Sequence, residues 1–176
     1  MNSKIKKIKM VISDIDGVWT DGTFYKGTDG QEFKKFNVND GVGVAMARAA
    51  GYEIALISGR FSPATEYRAK ELQIEDVYNG GLNKIHAYEE LKAKYKIVDS
   101  EIAYVGDDLI DIPVMEKVGV PIAVANAIED VKEISTYVTK AAGGLGAFRE
   151  AISWLINEQD RMEEVLKLMK AKILNI

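Results

Sequence analysis

The segment Asp14-Ile15-Asp16-Gly17-Val18-Trp19-Thr20 places two carboxylates two residues apart, directly after the apolar run 8–13 (IKMVIS). Such a pair at a strand end is costly unless a positive group sits between the two acids, and a divalent cation is one such group. The plainer reading is a pair of exposed turn aspartates, with Asp16-Gly17 as turn chemistry. The position after an apolar strand, outside any polar loop, favours chemistry. A second acidic group, Gly106-Asp107-Asp108-Leu109-Ile110-Asp111, follows the apolar run 102–105. Asp107 suits a magnesium ligand, and Asp108 and Asp111 suit residues that orient water, a lysine or the metal. A helix N-terminus favoured by its dipole explains one or two of these acids but not the set.

Two further features belong with these carboxylates. Ser58-Gly59-Arg60 follows the apolar run 53–57, where a hydroxyl and backbone N–H groups ahead of a helix can hold phosphate oxygens. Arg60 suits a second anionic group of a substrate. Lys84 stands near the start of the helix expected after Asn79-Gly80-Gly81, where its ammonium can neutralise a phosphoryl group. Taken singly, a capping loop with a surface arginine and a surface lysine account for both.

Composition narrows the chemistry. The chain has 176 residues, no cysteine and one histidine, His86. Disulfides, thiolate sites and a multi-histidine zinc site are therefore excluded, leaving carboxylates and hard cations. A formal charge of −4 argues against general nucleic-acid binding. The basic run Lys4, Lys6, Lys7, Lys9, interleaved with Ile5 and Ile8, reads as a solvated strand edge. The N-terminus lacks the apolar run and cleavage site of a signal peptide, so a cytoplasmic enzyme is expected. His86, two residues after Lys84, faces another side of its helix and reads as a surface residue.

These residues need a scaffold. Apolar, β-branched runs at 8–13, 53–57, 76–78, 102–105, 121–124 and 137–138 read as strands buried on both faces. Helices are expected over 40–50 with Asn39 or Asp40 as cap, from Ser62-Pro63 to Leu72, over 83–95, from Asp108 or Leu109 to about Gly119, and to about 157. The alternation predicts an α/β fold with a doubly wound, mostly parallel sheet. All four chemical features then fall at the C-terminal ends of strands, where such sheets bind ligands. Residues 23–26 and 31–36 flank Gly27-Thr28-Asp29-Gly30 and read as a β-hairpin with a four-residue loop, overhanging the end of the first strand. No cap domain is inserted. The organisation is one domain over 1–158 and a C-terminal amphipathic helix over 159–176, with Met162, Val165, Leu166, Met169 and Ile173 on one face. That helix is expected to pack at a subunit interface or beside a neighbour's site.

In this order and spacing the four features resemble the haloacid dehalogenase superfamily of phosphatases. The resemblance implies that Asp14 is a covalent nucleophile and Asp16 the acid and base. It implies that Asp14, the Asp16 main-chain carbonyl and Asp107 hold Mg2+, and that Ser58 and Lys84 hold phosphoryl oxygens. Gly59, Arg60, Thr20 and Asp108 fall on the substrate side. More narrowly, DIDGVWTDG over 14–22, the hairpin, Lys35-Phe36, Asp40-Gly41, ISGRFS over 57–62, Gly106 to Asp111 and GGLGAFRE over 143–150 are similar to the 3-deoxy-D-manno-octulosonate 8-phosphate phosphatases. That family implies a capless enzyme of lipopolysaccharide sugar synthesis. It also implies a homotetramer whose hairpins cluster and reach over neighbouring sites. Trp19 is similar to relatives acting on nine-carbon ulosonate phosphates, whereas Arg60 is similar to the eight-carbon group. The eight-carbon substrate is the expectation, the nine-carbon the alternative, and an idle tetramerisation or docking module a third reading.

Overall fold

The computed structural model of the chain describes residues 4–174. The elements are β1 (Met10–Ser13), β2 (Phe24–Lys26), β3 (Glu32–Lys34), α1 (Val38–Ala49), β4 (Glu53–Ser58), α2 (Pro63–Glu71), β5 (Asp76–Asn79), α3 (Lys84–Tyr95), β6 (Ile102–Gly106), α4 (Ile112–Met115), β7 (Val120–Ala123), α5 (Glu129–Glu133), β8 (Tyr137–Val138), α6 (Ala147–Glu158) and α7 (Met162–Leu174). Six strands form one sheet in the order β5-β4-β1-β6-β7-β8, parallel throughout. From β1 the chain runs outward through β4 and β5, then returns to β6 on the other side of β1. Right-handed crossovers put α1 and α2 on one face and α3, α4 and α5 on the other. The reversal opens a crevice at the C-terminal ends of β1 and β6. The expected doubly wound sheet is what forms, and among the described residues no cap domain is inserted.

The central strands read as apolar runs because both faces are covered: Val11, Ile12, Ala55, Ala103, Tyr104, Val105 and Ile122 are all fully buried. Several boundaries differ from expectation. The basic N-terminal run is not a strand edge. Ile5–Lys7 forms a short 3-10 turn with Ile5 buried, and β1 begins at Met10. Helix α1 is capped by Asn37, whose side chain accepts the Asn39 N–H at 2.9 Å, two residues ahead of the expected cap. The short helix expected from Asp108 begins only at Ile112 as α4, because 108–111 folds as tight turns (Asp111 N–H to the Asp108 carbonyl, 2.9 Å), while the Asp111 carboxylate accepts the amides of Asp107 and Asp108 (2.9 and 3.2 Å). The hairpin pairs Lys26 with Glu32, so its loop has five residues, closed by the Gly27 N–H to Gln31 carbonyl bond. Helix α5 was not anticipated at all.

Two long-range ties explain motifs that are otherwise only a pattern. Gly146 at the N-cap of α6 has no side chain to offer. Asp40 of α1 supplies the acceptor, taking the Arg149 N–H at 3.1 Å. Helix α7 packs on α1 and α6 of its own chain. Val165 is fully buried there and Met162 and Met169 partly so, while Leu166 and Ile173 remain exposed.

Candidate active site

The site is built at the ends of β1, β4 and β6 and the start of α3. Asp14 follows β1, and its amide still bonds the Val105 carbonyl of β6 (2.9 Å), so its position is set by the sheet. The loop after it is folded by backbone contact with a distant segment. Gly17 has φ +94° and lies so close to Asp107 that a β-carbon there would come within 1.9 Å of the Asp107 Oδ2. Gly143 lies against the Gly17 carbonyl, where a β-carbon would come within 1.8 Å. Only glycine permits either approach. Asn126 bridges the two segments, donating to the Gly17 carbonyl (3.0 Å) and accepting the Gly143 N–H (2.6 Å).

Lys84, the first residue of α3, reaches into the interior. Its ammonium donates to Asp14 Oδ1 and Asp111 Oδ1, both at 2.6 Å, and to the Tyr104 hydroxyl at 3.3 Å. The side chains of Lys84, Asp14 and Asp111 are each at most 5% exposed. Burial alone would lower the lysine, but Asp14 and Asp111 outweigh it and hold Lys84 above its ordinary value. The carboxyls move the other way. Burial lifts Asp14 to about 7, against the pull of Lys84 and with a further push from Asp111. Burial, then the charges of Asp14, Asp111 and Asp108, lifts Asp107 to about 8. The site thus holds more negative charge than its lysine can satisfy.

A cation fits that imbalance. Asp14, Asp107 and Asp111 each bring a carboxylate oxygen within 4.8 Å of the others. Asp107 Oδ1 is buried without a hydrogen-bond partner. Asp111 is different: one oxygen takes Lys84 and Tyr104, and the other takes two amides. Its lone pairs are spent on protein donors. Asp14 and Asp107 are the carboxylates left with capacity for a metal.

The other sequence-selected residues divide. Asp14, Asp16, Ser58, Gly59, Arg60, Asp107 and Asp108 line one cleft of about 180 Å³, together with Gly22, Phe24, Leu82 and Ile110. A larger cavity of about 520 Å³ lies apart from these carboxylates, between β3 and α2. Thr20 is not brought to the cleft. It is fully buried, and its hydroxyl accepts the Gly17 and Gly22 N–H groups (3.3 and 3.2 Å), so it shapes the loop. Trp19 is equally remote, donating its indole N–H to Ser13 Oγ (3.0 Å) with its ring centroid 4.5 Å from that of Phe148. His86 is on the surface, 3.4 Å from Glu90.

The hairpin supplies residues that sequence reasoning missed. Lys34 of β3 has a fully buried side chain and pairs with Asp16 Oδ1 at 2.6 Å. Glu32, two residues earlier and on the same strand face, binds the Arg60 guanidinium through both oxygens and accepts the Ser62 hydroxyl at 2.9 Å. Ser62 therefore does not cap α2 with its side chain. Arg60 also stacks 4.1 Å from the Phe24 ring centroid. These partners hold Glu32 down at about 2, with the Arg60 bond the largest cause. Tyr25 and Phe33 pair on the opposite, exposed face. No local signal marked Glu32 and Lys34, because Phe24 shares their inner face and the hairpin shows no clean alternation of charge and aromatics.

A parallel doubly wound sheet with paired acids at β1, a serine at β4, a lysine at α3 and acids at β6 defines a phosphoryl-transfer type of site. The family model of the haloacid dehalogenase-like hydrolases matches residues 54–147. The 3-deoxy-D-manno-octulosonate 8-phosphate phosphatase KdsC of Escherichia coli strain K12 is 44% identical over 92% of this chain and 86% of its own. A crystal structure of the phosphatase of that name from Yersinia pestis superposes with a TM-score of 0.88 and 41% identity, covering 91% of this chain and 86% of that one. Another, from Moraxella catarrhalis in complex with magnesium ion, phosphate ion and KDO, has a TM-score of 0.90 and 34% identity over 96% and 97% of the two chains. The chain belongs to the haloacid dehalogenase-like hydrolases and, within them, to the family of these octulosonate phosphate phosphatases.

Proposed function

We propose that the protein is a magnesium-dependent phosphatase that hydrolyses 3-deoxy-D-manno-octulosonate 8-phosphate to the free sugar acid and phosphate. The observation that carries the mechanism is the buried Asp14–Lys84–Asp111 cluster beside the partnerless Asp107 oxygen. An Asp14 oxygen attacks phosphorus, and the bond to the sugar oxygen breaks. Asp16 gives the departing alkoxide a proton, then takes one from the water that cleaves the aspartyl-phosphate. Lys84 and the Ser58 hydroxyl bind the phosphoryl oxygens. Mg2+, which Asp14, Asp107 and the Asp16 main-chain carbonyl would hold, neutralises charge on the phosphoryl group when bound. Asp108, exposed at the cleft mouth, stands on the substrate side with Gly59 and Arg60.

The likeness to the octulosonate phosphatases supports the eight-carbon substrate, and Arg60 at the cleft is a match for the carboxylate that eight- and nine-carbon sugar acids share. Trp19, the residue that pointed to a nine-carbon substrate, lies in the core and does not line the cleft. The cleft is small, so the sugar extends past the hairpin. Tyr25 and Phe33 are 61% and 59% exposed on that hairpin, and Phe61, Leu82 and Leu109 are exposed near it. This apolar rim supports a homotetramer whose hairpins cover neighbouring sites. Phosphate release from eight-carbon, nine-carbon and simple sugar phosphates, with and without Mg2+, tests the reading. Magnesium-dependent preference for the eight-carbon compound is expected. Equal turnover of all three would remove the substrate assignment, and no turnover would remove the enzyme.

A further inference from the structure

The Lys84 ammonium has three protons and three partners, Asp14, Asp111 and Tyr104. Two of the partners are carboxylates that define how the lysine faces the phosphoryl group. The third has no place in the mechanism given above. Tyr104 sits mid-strand in β6 beside Ile12 of β1 and is fully buried. Its hydroxyl donates to Asp111 Oδ1 at 2.6 Å, the same oxygen that takes Lys84. Lys84, Asp111 and Tyr104 thus close a triangle, and the other Asp111 oxygen anchors the amides of Asp107 and Asp108.

Without the phenol, Asp111 Oδ1 would have one donor left and the ammonium would have a free proton in a dry interior. Both defects relax in one way: Lys84 moves deeper onto Asp111 and away from Asp14. A strand residue carried by the most buried part of the sheet is well placed to prevent that, because its ring cannot shift. Burial and the Asp111 charge keep the phenol protonated and hence a donor.

We propose that Tyr104 is a positioning residue for phosphoryl binding, holding Lys84 at Asp14 through the shared Asp111 oxygen. The proposal rests on the reading of Asp14 and Lys84 as the phosphoryl site. It separates two arms of Asp111: the Lys84 arm depends on Tyr104, and the amide arm that orders Asp107 does not. Tyr104→Phe should therefore weaken inorganic phosphate binding at saturating Mg2+ by about 10- to 100-fold, the worth of one hydrogen bond to a charged group. Its affinity for Mg2+ alone should stay within about twofold, since the amide bonds to Asp111 remain.

The experiment is isothermal calorimetry on the full chain with inorganic phosphate plus Mg2+ and with Mg2+ alone, repeated in an Asp111→Asn background. Loss of phosphate affinity with Mg2+ affinity retained, and no further loss when Asp111 is already Asn, is the expected result. Unchanged phosphate affinity overturns the proposal. So does a parallel loss of both ligands, which a general packing defect would cause, or an equal loss in both backgrounds. Wild-type protein that binds no phosphate with Mg2+ present would sink the underlying reading of the site instead. Should the Phe variant not fold, 3-fluorotyrosine placed at position 104 gives the same answer by fluorine NMR. Its resonance should shift on adding phosphate with Mg2+, and an unmoved resonance overturns the proposal.

Discussion

Two ion-pair systems meet at the cleft, and they are built on opposite principles. The inner one, Asp14–Lys84–Asp111, hangs from the sheet and the first turn of α3, and its lysine serves two carboxylates. The outer one, Asp16–Lys34 and Glu32–Arg60, joins the hairpin to the loops after β1 and β4. In the inner system burial pushes carboxyls up, Asp14 to about 7 and Asp107 to about 8. In the outer one the Arg60 bond pulls Glu32 down to about 2. The inner charges are short of a cation, and the outer ones are matched. Removing one partner of a buried pair leaves a desolvated charge and costs about 3–5 kcal/mol, whereas exposed pairs contribute about 0–1 kcal/mol. The inner system is thus suited to hold a metal and a phosphate, and the part-buried outer system, with Lys34 buried and Asp16 29% and Arg60 37% exposed, to fix the hairpin over the cleft.

The largest effect expected from this contrast is on turnover. Asp14→Asn should cut phosphate release by at least about 10⁴-fold, as removal of a covalent nucleophile does. The fold should persist, because the amide that locks residue 14 to Val105 is untouched. Steady-state rates beside a circular dichroism spectrum check both halves. Turnover within tenfold of wild type would place the nucleophile elsewhere.

The shortage of positive charge also predicts how stability depends on pH. Asp14 and Asp107 have folded-state values of about 7 and 8 against 3.8 for a solvent-exposed carboxyl, the unfolded reference. Groups raised in this way favour folding fully below their unfolded value and lose that contribution as pH rises through the folded value. Metal-free protein should therefore lose stability from about pH 4 to about pH 8, and Mg2+ should flatten the decline. Asp107→Asn removes one unsatisfied charge. It should raise the metal-free melting temperature at pH 8, by an amount worth on the order of 1 kcal/mol, and abolish stabilisation by Mg2+. Melting curves in chelator and in Mg2+, from pH 4 to pH 8, measure both. A variant that melts lower without metal would show that Asp107 is already satisfied in the free protein.

The contrast also explains what could be read from the sequence. The inner residues follow apolar runs that only a doubly covered sheet explains, so 14, 58 and 107 were legible as strand ends. Lys84 was legible by its place after Asn79-Gly80-Gly81. Partners carried by tertiary contact were not. Glu32 and Lys34 lie in a polar hairpin that reads as solvent-facing until its fold over the cleft is known. Tyr104 reads as one more apolar strand residue. Asn126 has no local signal, since its bonds reach Gly17 and Gly143. Thr20 was placed on the substrate side by its motif, but its hydroxyl is spent within the loop. The helix expected from Asp108 starts only at Ile112 because the Asp108 and Leu109 carbonyls close tight turns with the Asp111 and Ile112 N–H groups, a local geometry with no sequence signal.

Smaller effects belong to the outer system. Lys34→Met removes the hairpin's hold on Asp16, which is 29% exposed and can turn to water. Turnover should fall about tenfold, less than the roughly 10²- to 10⁴-fold expected for Asp16→Asn. Glu32→Gln should cost less again, because Arg60 keeps its stacking on Phe24. Its signature is in pH. Glu32 is lowered from 4.5 to about 2, so it adds stability above its unfolded value and loses it as pH falls toward 2. Glu32→Gln should flatten the acid limb between about pH 4.5 and 2 and leave the neutral-to-alkaline limb, set by Asp14 and Asp107, unchanged. The same variant frees Arg60 for a substrate carboxylate, so the Michaelis constant for a sugar-acid phosphate should fall or hold while that for a phosphate ester without a carboxylate stays put. Changes in both limbs, or equal changes in both Michaelis constants, would mean that the two systems are one coupled network and that the hairpin cannot move without disturbing the lysine.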